Sequence, residues 1–289
     1  MKKVAMLGAG AMGARMVHNF LNAGYQVTVY NRSPEKLTEL KEKGALIAAT
    51  PKAAAENADC VMSMVRDDAA SNVVWLGKDG AIEGLRPGAI AMESSTVTPH
   101  WTRTLADRVQ GAGTTFLSAP VLGSRPQVEA KKLIYVVGGD GTALEKVRAI
   151  LETTSAAIHH VGTVEQAATM KLVVNSQYAA QVAIWAETLS ILEKQGIATE
   201  KAVEMLNTFP ATSLTMQMAG KLMAVHDNAP LFPVELMTKD IGYTADLAKA
   251  LHVHTEVLNQ THALLSNAAS NGYGEKNITS VFDYVRSYK

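Results

Sequence analysis

Residues 2–13 read KKVAMLGAGAMG, and this stretch decides the fold. A short apolar run ends in glycines at Gly8, Gly10 and Gly13, and residues Ala11 to Asn22 beyond them have helical composition. A second apolar run, QVTVYN, follows at 26–31. Strand, glycine turn, helix and strand form the context in which G-x-G-x-x-G marks a dinucleotide phosphate loop. Gly8 permits the tight turn, Gly10 lets backbone approach a pyrophosphate, and Gly13 allows close helix–strand packing. The free N–H groups opening the helix would hold the anion. Gly8, Ala9, Gly10, Ala11, Met12 and Gly13 are therefore candidate cofactor contacts. The alternative is a glycine-rich turn with no ligand.

The end of the second strand, Tyr30-Asn31-Arg32-Ser33, bears on which dinucleotide binds. NAD-specific sites usually carry Asp or Glu about 20 residues beyond the glycines, on the ribose hydroxyls. Here an amide, a guanidinium and a hydroxyl stand instead. A carboxylate would repel a 2′-phosphate, whereas Arg32 can form charge-assisted bonds to one. Asn31, Arg32 and Ser33 thus point to NADPH rather than NADH. The competing reading makes Asn31 and Ser33 a turn and cap before Pro34, with Arg32 solvated.

Outward from this unit, strand-like runs alternate with helical stretches as far as residue 162. DCVMSMV (59–65), GAIAMESS (88–95), TTFLSAPV (114–121), LIYVVGG (133–139) and AAIHHVG (156–162) read as strands. Helical segments include Pro99 to Gln110 and Leu144 to Leu151. Apolar strands alternating with helices predict a parallel sheet covered on both faces. After Gly162 only helices follow: Val164 to Gln195, Glu200 to Asn207, Pro233 to Leu251 and Thr255 to Asn271. The expected architecture is α/β, a Rossmann-type doubly wound domain over residues 1–162 followed by an all-α domain over 163–289.

Bulk properties narrow the function classes. The 289 residues are 47% hydrophobic and 19% charged, with a formal net charge of +0. That balance argues against a nucleic-acid or membrane-surface binder, which would carry a basic field. A single cysteine, Cys60, cannot form an internal disulfide. With no tract resembling a signal peptide, a reducing cytoplasmic setting is expected. The run from Gln166 to Ala186 is long enough for a bilayer, but its lysine, asparagine and glutamines fit a soluble core helix better. His159-His160 and His252 with His254 lack metal-ligand spacing, so no catalytic metal is expected.

That same run contains TMKLVVNSQ (169–177), where Lys171 has no acid nearby in sequence. Burying an unpaired lysine is costly, so it is a tolerated accident, a solvated edge or a working group. Asn175 lies four residues on and projects from the same helical face, with Tyr178 close by. In a two-domain enzyme this helix would wall a cleft. A lysine ammonium there would give a carbonyl oxygen its proton as hydride arrives, and the amine would be the base in reverse. Partial burial would lower its pKa toward that use. Otherwise the lysine simply snorkels to the surface.

With these pieces placed, the whole chain resembles the β-hydroxyacid dehydrogenase family. That group includes 3-hydroxyisobutyrate dehydrogenase and the glyoxylate/succinic semialdehyde reductases, and its first domain is like the NAD-binding domain of 6-phosphogluconate dehydrogenase. Met64 and Val65 fall where the family lines the nicotinamide ribose. Ser95 and Thr96 in Glu93-Ser94-Ser95-Thr96 match a segment touching cofactor and substrate, although either could cap the helix starting at Pro99. Leu122, Gly123 and Ser124 match the substrate loop, and Arg125 just beyond is a candidate for a substrate anion. Lys171 and Asn175 match the catalytic helix. Lys239, in Met237-Thr238-Lys239-Asp240, matches a lysine reaching the cofactor, unless it forms a solvated pair with Asp240.

Departures from the pattern matter. Leu122 replaces the loop serine that helps hold a substrate carboxylate, leaving backbone N–H groups at Gly123 and Ser124 to grip the anion. Spacing through Arg125, Glu129 and Leu133 is most similar to the glyoxylate/succinic semialdehyde reductase branch. The resemblance implies reduction of a small aldehyde or oxo acid to the hydroxy acid, with NADPH as the residues ending the second strand indicate. Helices apolar on more than one face, with frequent Met, point to a homodimer or homotetramer. Imine reductases share the architecture but usually lack the lysine, and a non-catalytic dinucleotide-binding protein is the third alternative.

Overall fold

The structure is a computed structural model that describes residues 2–287. The chain divides into two compact units, Met1–Lys171 and Leu172–Lys289. In the first, β1 (Lys3–Leu7), α1 (Gly13–Asn22), β2 (Gln26–Tyr30), α2 (Thr38–Glu42), β3 (Leu46–Ile47) and α3 (Pro51–Ala55) come in order. Then follow β4 (Cys60–Ser63), α4 (Asp68–Leu76), β5 (Ile90–Glu93), α5 (Pro99–Gly111), β6 (Thr115–Ser118) and β7 (Val121–Leu122). The unit closes with α6 (Arg125–Glu129), β8 (Leu133–Gly139), α7 (Gly141–Leu151), β9 (Ser155–Gly162) and the start of α8 (Val164–Lys194).

Strands β3, β2, β1, β4, β5 and β6 lie side by side in that order, all parallel. This reversal of direction at β1 is the doubly wound arrangement. Alternate residues explain why helices cover both faces. Val4, Met6, Cys60, Met62, Ile90 and Met92 pack on one side with Met16 and Phe20 of α1 and Leu144 and Val147 of α7. Ala5, Leu7, Val61 and Ala91 pack on the other with Trp75 of α4 and Leu105 of α5. The expectation of a parallel sheet fails at one place: β8 runs antiparallel to β6 and β7, and parallel only to β9. The chain reverses through the short β7 and α6, where a two-residue strand needs no crossover helix.

The second unit takes α8 from Leu172 onward and then holds α9 (Thr199–Leu206), α10 (Leu214–Ala224), α11 (Val234–Ala250), α12 (Glu256–Ala268) and α13 (Val281–Arg286). Its core joins Val182, Trp185 and Leu189 of α8 to Val203, Met223, Met237, Ile241, Leu265 and Phe282. α10 and α13 have no counterpart among the helices expected from sequence. Gly220 lies inside α10, and a glycine there weakens the helical signal. A side chain at Gly220 would stand 2.5 Å from Trp185 Nε1, so close approach to the indole accounts for it. Among the described residues, no helix is long and apolar enough to cross a membrane.

Candidate active site

The glycine loop leaves β1 at Gly8, whose φ is +101° and whose N–H donates to Tyr30 O at 2.8 Å. The three glycines play separate parts. A Cβ at Gly8 would stand 2.4 Å from Met64 O, and one at Gly13 would stand 2.1 Å from Gly8 O. At Gly10 nothing lies within 4 Å of such an atom. Gly8 and Gly13 therefore serve the tight turn and the strand–helix contact, while the ground beside Gly10 is open to a ligand. Ala9 is buried, Gly10 and Ala11 are exposed, and Met12 packs against the core.

Asn31 is tied to this loop. Its Oδ1 accepts from Ala9 N at 3.1 Å and its Nδ2 donates to Ser33 O at 2.9 Å. The carboxamide thus fixes the glycine loop to the end of β2. The turn half of the alternative reading holds, but the Ser33 side chain makes no cap hydrogen bond to the short turn at Pro34–Leu37. Arg32 is exposed beside them.

The ends of β4 and β5 are laced together. Met64 N donates to Leu7 O at 2.9 Å, and Val65 N donates to Ser95 Oγ at 2.7 Å. The notion that Ser95 or Thr96 caps the helix at Pro99 is corrected. Thr98 caps α5, its Oγ1 accepting from Trp101 N at 3.0 Å while donating to Asp68 Oδ2 at 2.6 Å. Ser95 and Thr96 stay in the loop at the C-terminal end of the sheet, where ligands of doubly wound folds bind.

Leu122 lies in β7, half-buried and paired with Ile134, which accounts for an apolar residue there. Gly123 has φ +115°. Ser124 opens α6 with a capping box, its N–H donating to Gln127 Oε1 at 2.9 Å. That amide is already engaged, so it grips an anion only if Gln127 swings away. Arg125 Nε is buried with no hydrogen-bond partner among the described residues. Asn19 Nδ2 donates to Val128 O at 2.7 Å, bonding α6 to α1.

The base of α8 approaches β8 because Gly138 has no side chain; a Cβ there would stand 2.0 Å from Thr163 O. Lys171 follows two turns later and is only 7% exposed, which excludes the snorkelling alternative. Asn175, 4% exposed, donates from Nδ2 to Asp240 Oδ2 at 2.6 Å. Asp240 Oδ1 lies 2.8 Å from Lys239 Nζ, which also sits 4.6 Å from the centre of the Tyr243 ring. Asp240 is 2% exposed and the Lys239 side chain 17%, so the solvated-pair alternative is also corrected. Asp240 is the residue that sequence reasoning missed. The acid missing beside the lysine along its own helix reaches that helix from α11, one turn beyond Lys171. Its adjacency to Lys239 was the available signal. Burial pushes the nearby Tyr178 phenol up to about 12, so it stays protonated.

A cavity of about 850 Å³ lies elsewhere, among Arg103, Asp107, Asp140, Lys146 and Glu165. It opens at the starts of β5 and β6, whereas the glycine loop, Val65 and Ser95 lie at the strands' other ends. Among the described residues, no group of three or more His, Cys, Asp or Glu could hold a metal ion.

A doubly wound sheet with this glycine loop, joined to a helix bearing buried lysine and asparagine one turn apart, defines a nicotinamide-dinucleotide-dependent dehydrogenase. Two family models match: the NAD-binding domain of 6-phosphogluconate dehydrogenase over residues 3–162, and the NAD-binding region of NADP-dependent 3-hydroxyisobutyrate dehydrogenase over 166–285. The chain belongs to the β-hydroxyacid dehydrogenase family, enzymes that act on CH–OH groups with NAD(P). A mitochondrial protein of Dictyostelium discoideum, named a probable 3-hydroxyisobutyrate dehydrogenase, is 29% identical over 98% of this chain and 91% of its own. The chloroplastic glyoxylate/succinic semialdehyde reductase 2 of Arabidopsis thaliana is 28% identical over 99% and 80%. The solved 3-hydroxyisobutyrate dehydrogenase of Mycobacterium tuberculosis, with L-serine, shares the fold at TM-score 0.90 and 23% identity, covering 99% and 100%.

Proposed function

We propose that the chain is an NADPH-dependent reductase of a small aldehyde or oxo acid, of the glyoxylate, semialdehyde or 3-hydroxyisobutyrate type. The observation that carries this reading is Lys171, buried one helical turn from an asparagine that a buried acid holds in place. The bound nicotinamide supplies the hydride. Lys171 protonates the oxygen that becomes the hydroxyl, and in the oxidative direction its amine takes that proton back. Asn175, its amide fixed by Asp240, orients the reacting oxygen. Gly123 and Arg125 offer donors to a substrate carboxylate, Ser124 does so once Gln127 releases its N–H, and Leu122 and Ser95 are further substrate contacts.

The open ground beside Gly10 fits a pyrophosphate, and the exposed Arg32, with Ser33, suits a 2′-phosphate. Met64, Val65 and Thr96 serve the nicotinamide half, and Lys239 is a further cofactor contact. Residues 1–162 form the NADP-binding domain and 163–289 the substrate and oligomerisation domain. Exposed Met170, Ile184 and Ile191 on α8 and Leu214 and Met218 on α10 suit a homodimer or homotetramer. Cys60 is buried, its thiol pushed up by burial, which suits a reducing cytoplasm without requiring it.

Leu122 favours one second reading, reduction of a less polar C=N bond. A panel of small oxo acids, semialdehydes and cyclic imines with NADPH and NADH tests both. Turnover of an oxo acid or semialdehyde with NADPH supports the first; turnover of imines alone overturns it in favour of the second.

A further inference from the structure

Glu93 ends β5 with its carboxyl fully buried among neutral donors. Ser95 N donates to Oε1 at 2.9 Å. Ser71 Oγ donates to Oε2, and Trp75 Nε1 reaches the same oxygen at 3.2 Å and Ser63 Oγ at 2.9 Å. The Ser71 hydroxyl in turn accepts from Trp101 Nε1 at 2.8 Å. Ser95 N, Ser71 Oγ and Trp75 Nε1 all donate to Glu93, so its carboxyl is the acceptor on which the network closes. A buried acid with this much dedicated hydrogen bonding is costly to keep unless it does something that an apolar residue cannot.

Its reach shows what that is. Glu93 fixes the Ser95 N–H, and Ser95 Oγ takes the Val65 N–H at 2.7 Å. One carboxyl therefore sets the spacing of two loops, the one after β4 with Met64 and Val65, and the one after β5 with Ser95 and Thr96. We infer that Glu93 is a positioning residue that holds these two loops in the register needed to receive the nicotinamide half of the cofactor. This rests on the functional reading above. The network also carries its own reporter, because Trp75 and Trp101 are two of only three tryptophans in the chain.

The test compares wild type with Glu93→Gln and Ser71→Ala, measuring tryptophan emission, melting temperature and the Kd for NADPH. Glutamine keeps the shape and one acceptor but turns an N–H toward Trp75 and Ser71. Ser71→Ala perturbs the same carboxyl from α4 by a small truncation that leaves the loops intact. Both variants should alter the emission of the unliganded protein and raise Kd about fivefold, the worth of roughly one hydrogen bond. Glu93→Gln sets its N–H against two buried donors and should also lower the melting temperature, so Ser71→Ala, expected to weaken binding with little change in melting temperature, separates positioning from stability. Wild-type emission and Kd in both variants overturn the proposal. So does a loss of affinity that only tracks a loss of melting temperature, which is what a merely structural role produces. Failure of wild type to bind either dinucleotide is a different result; it removes the functional reading and this role with it.

Discussion

Substituting alanine at Gly10 and at Gly13 should give opposite outcomes, although the two lie three residues apart in one loop. At Gly13 the new Cβ would stand 2.1 Å from Gly8 O, both on backbone that cannot rotate away. Ordinary contact with carbon needs about 3.5 Å, so β1 and α1 must separate by more than about 1 Å. Overpacking of a tight core costs about 1–3 kcal/mol, and rigid backbone puts this case at the upper end. At about 2–4 °C per kcal/mol for a unit of this size, Gly13→Ala should lower the melting temperature by roughly 6–12 °C. At Gly10 nothing lies within 4 Å and φ is outside the left-handed region. Gly10→Ala should leave the fold intact and gain up to about 1 kcal/mol from a stiffer unfolded chain. The same methyl occupies the space proposed for the pyrophosphate, so NADPH should bind at least about tenfold more weakly, roughly 1.4 kcal/mol. Thermal melts and NADPH titrations of both variants decide the matter. A Gly10→Ala protein that is stable and keeps wild-type affinity would refute the phosphate-loop reasoning.

Other perturbations address the remaining groups. The double change Asn31→Asp, Arg32→Ala should raise KM for NADPH about 10- to 100-fold, as expected for lost charge-assisted bonds, with much less effect for NADH; equal effects remove the 2′-phosphate role. Asp240→Ala frees the Asn175 amide and should lower kcat about tenfold or more with Lys171 untouched; unchanged kcat means that Asp240 serves only the fold. Burial holds the Glu93 carboxyl above its ordinary value of 4.5, and its contributing neighbours are the neutral Ser63, Ser71 and Ser95. The folded state therefore keeps a proton that the unfolded chain releases, a stabilisation complete below pH 4.5 and lost as pH rises through the raised folded value. Over that window the melting temperature of wild type should fall relative to Glu93→Gln; a constant difference between the two contradicts the shifted titration.

The parts legible in sequence are those whose signal is local. The glycine spacing, the alternating apolar strands and the long helix, which ends at Lys194 against an expected Gln195, come from neighbours along the chain. What was hidden depends on partners far away. Leu46–Ile47 is a strand only because β2 lies beside it, and β8 turns antiparallel only because β7 and α6 reverse the chain. Thr98 caps α5 with the help of Asp68, 30 residues earlier. In the candidate site, the shared helical face of Lys171 and Asn175 was readable from their spacing. Asp240 is 65 residues from Asn175, and the donors to Glu93 come from one helix and a loop. Asn31 was readable for what it is not, an acid, but its grip on Ala9 belongs to the folded loop.

The most direct test is pre-steady-state oxidation of NADPH by wild type and Lys171→Ala with a turned-over oxo acid or semialdehyde, alongside the Kd for NADPH. Loss of a general acid should slow the chemical step by about 10²–10⁴-fold, with NADPH affinity nearly unchanged. A Lys171→Ala protein that reduces the same substrate at the wild-type rate contradicts the account at its centre.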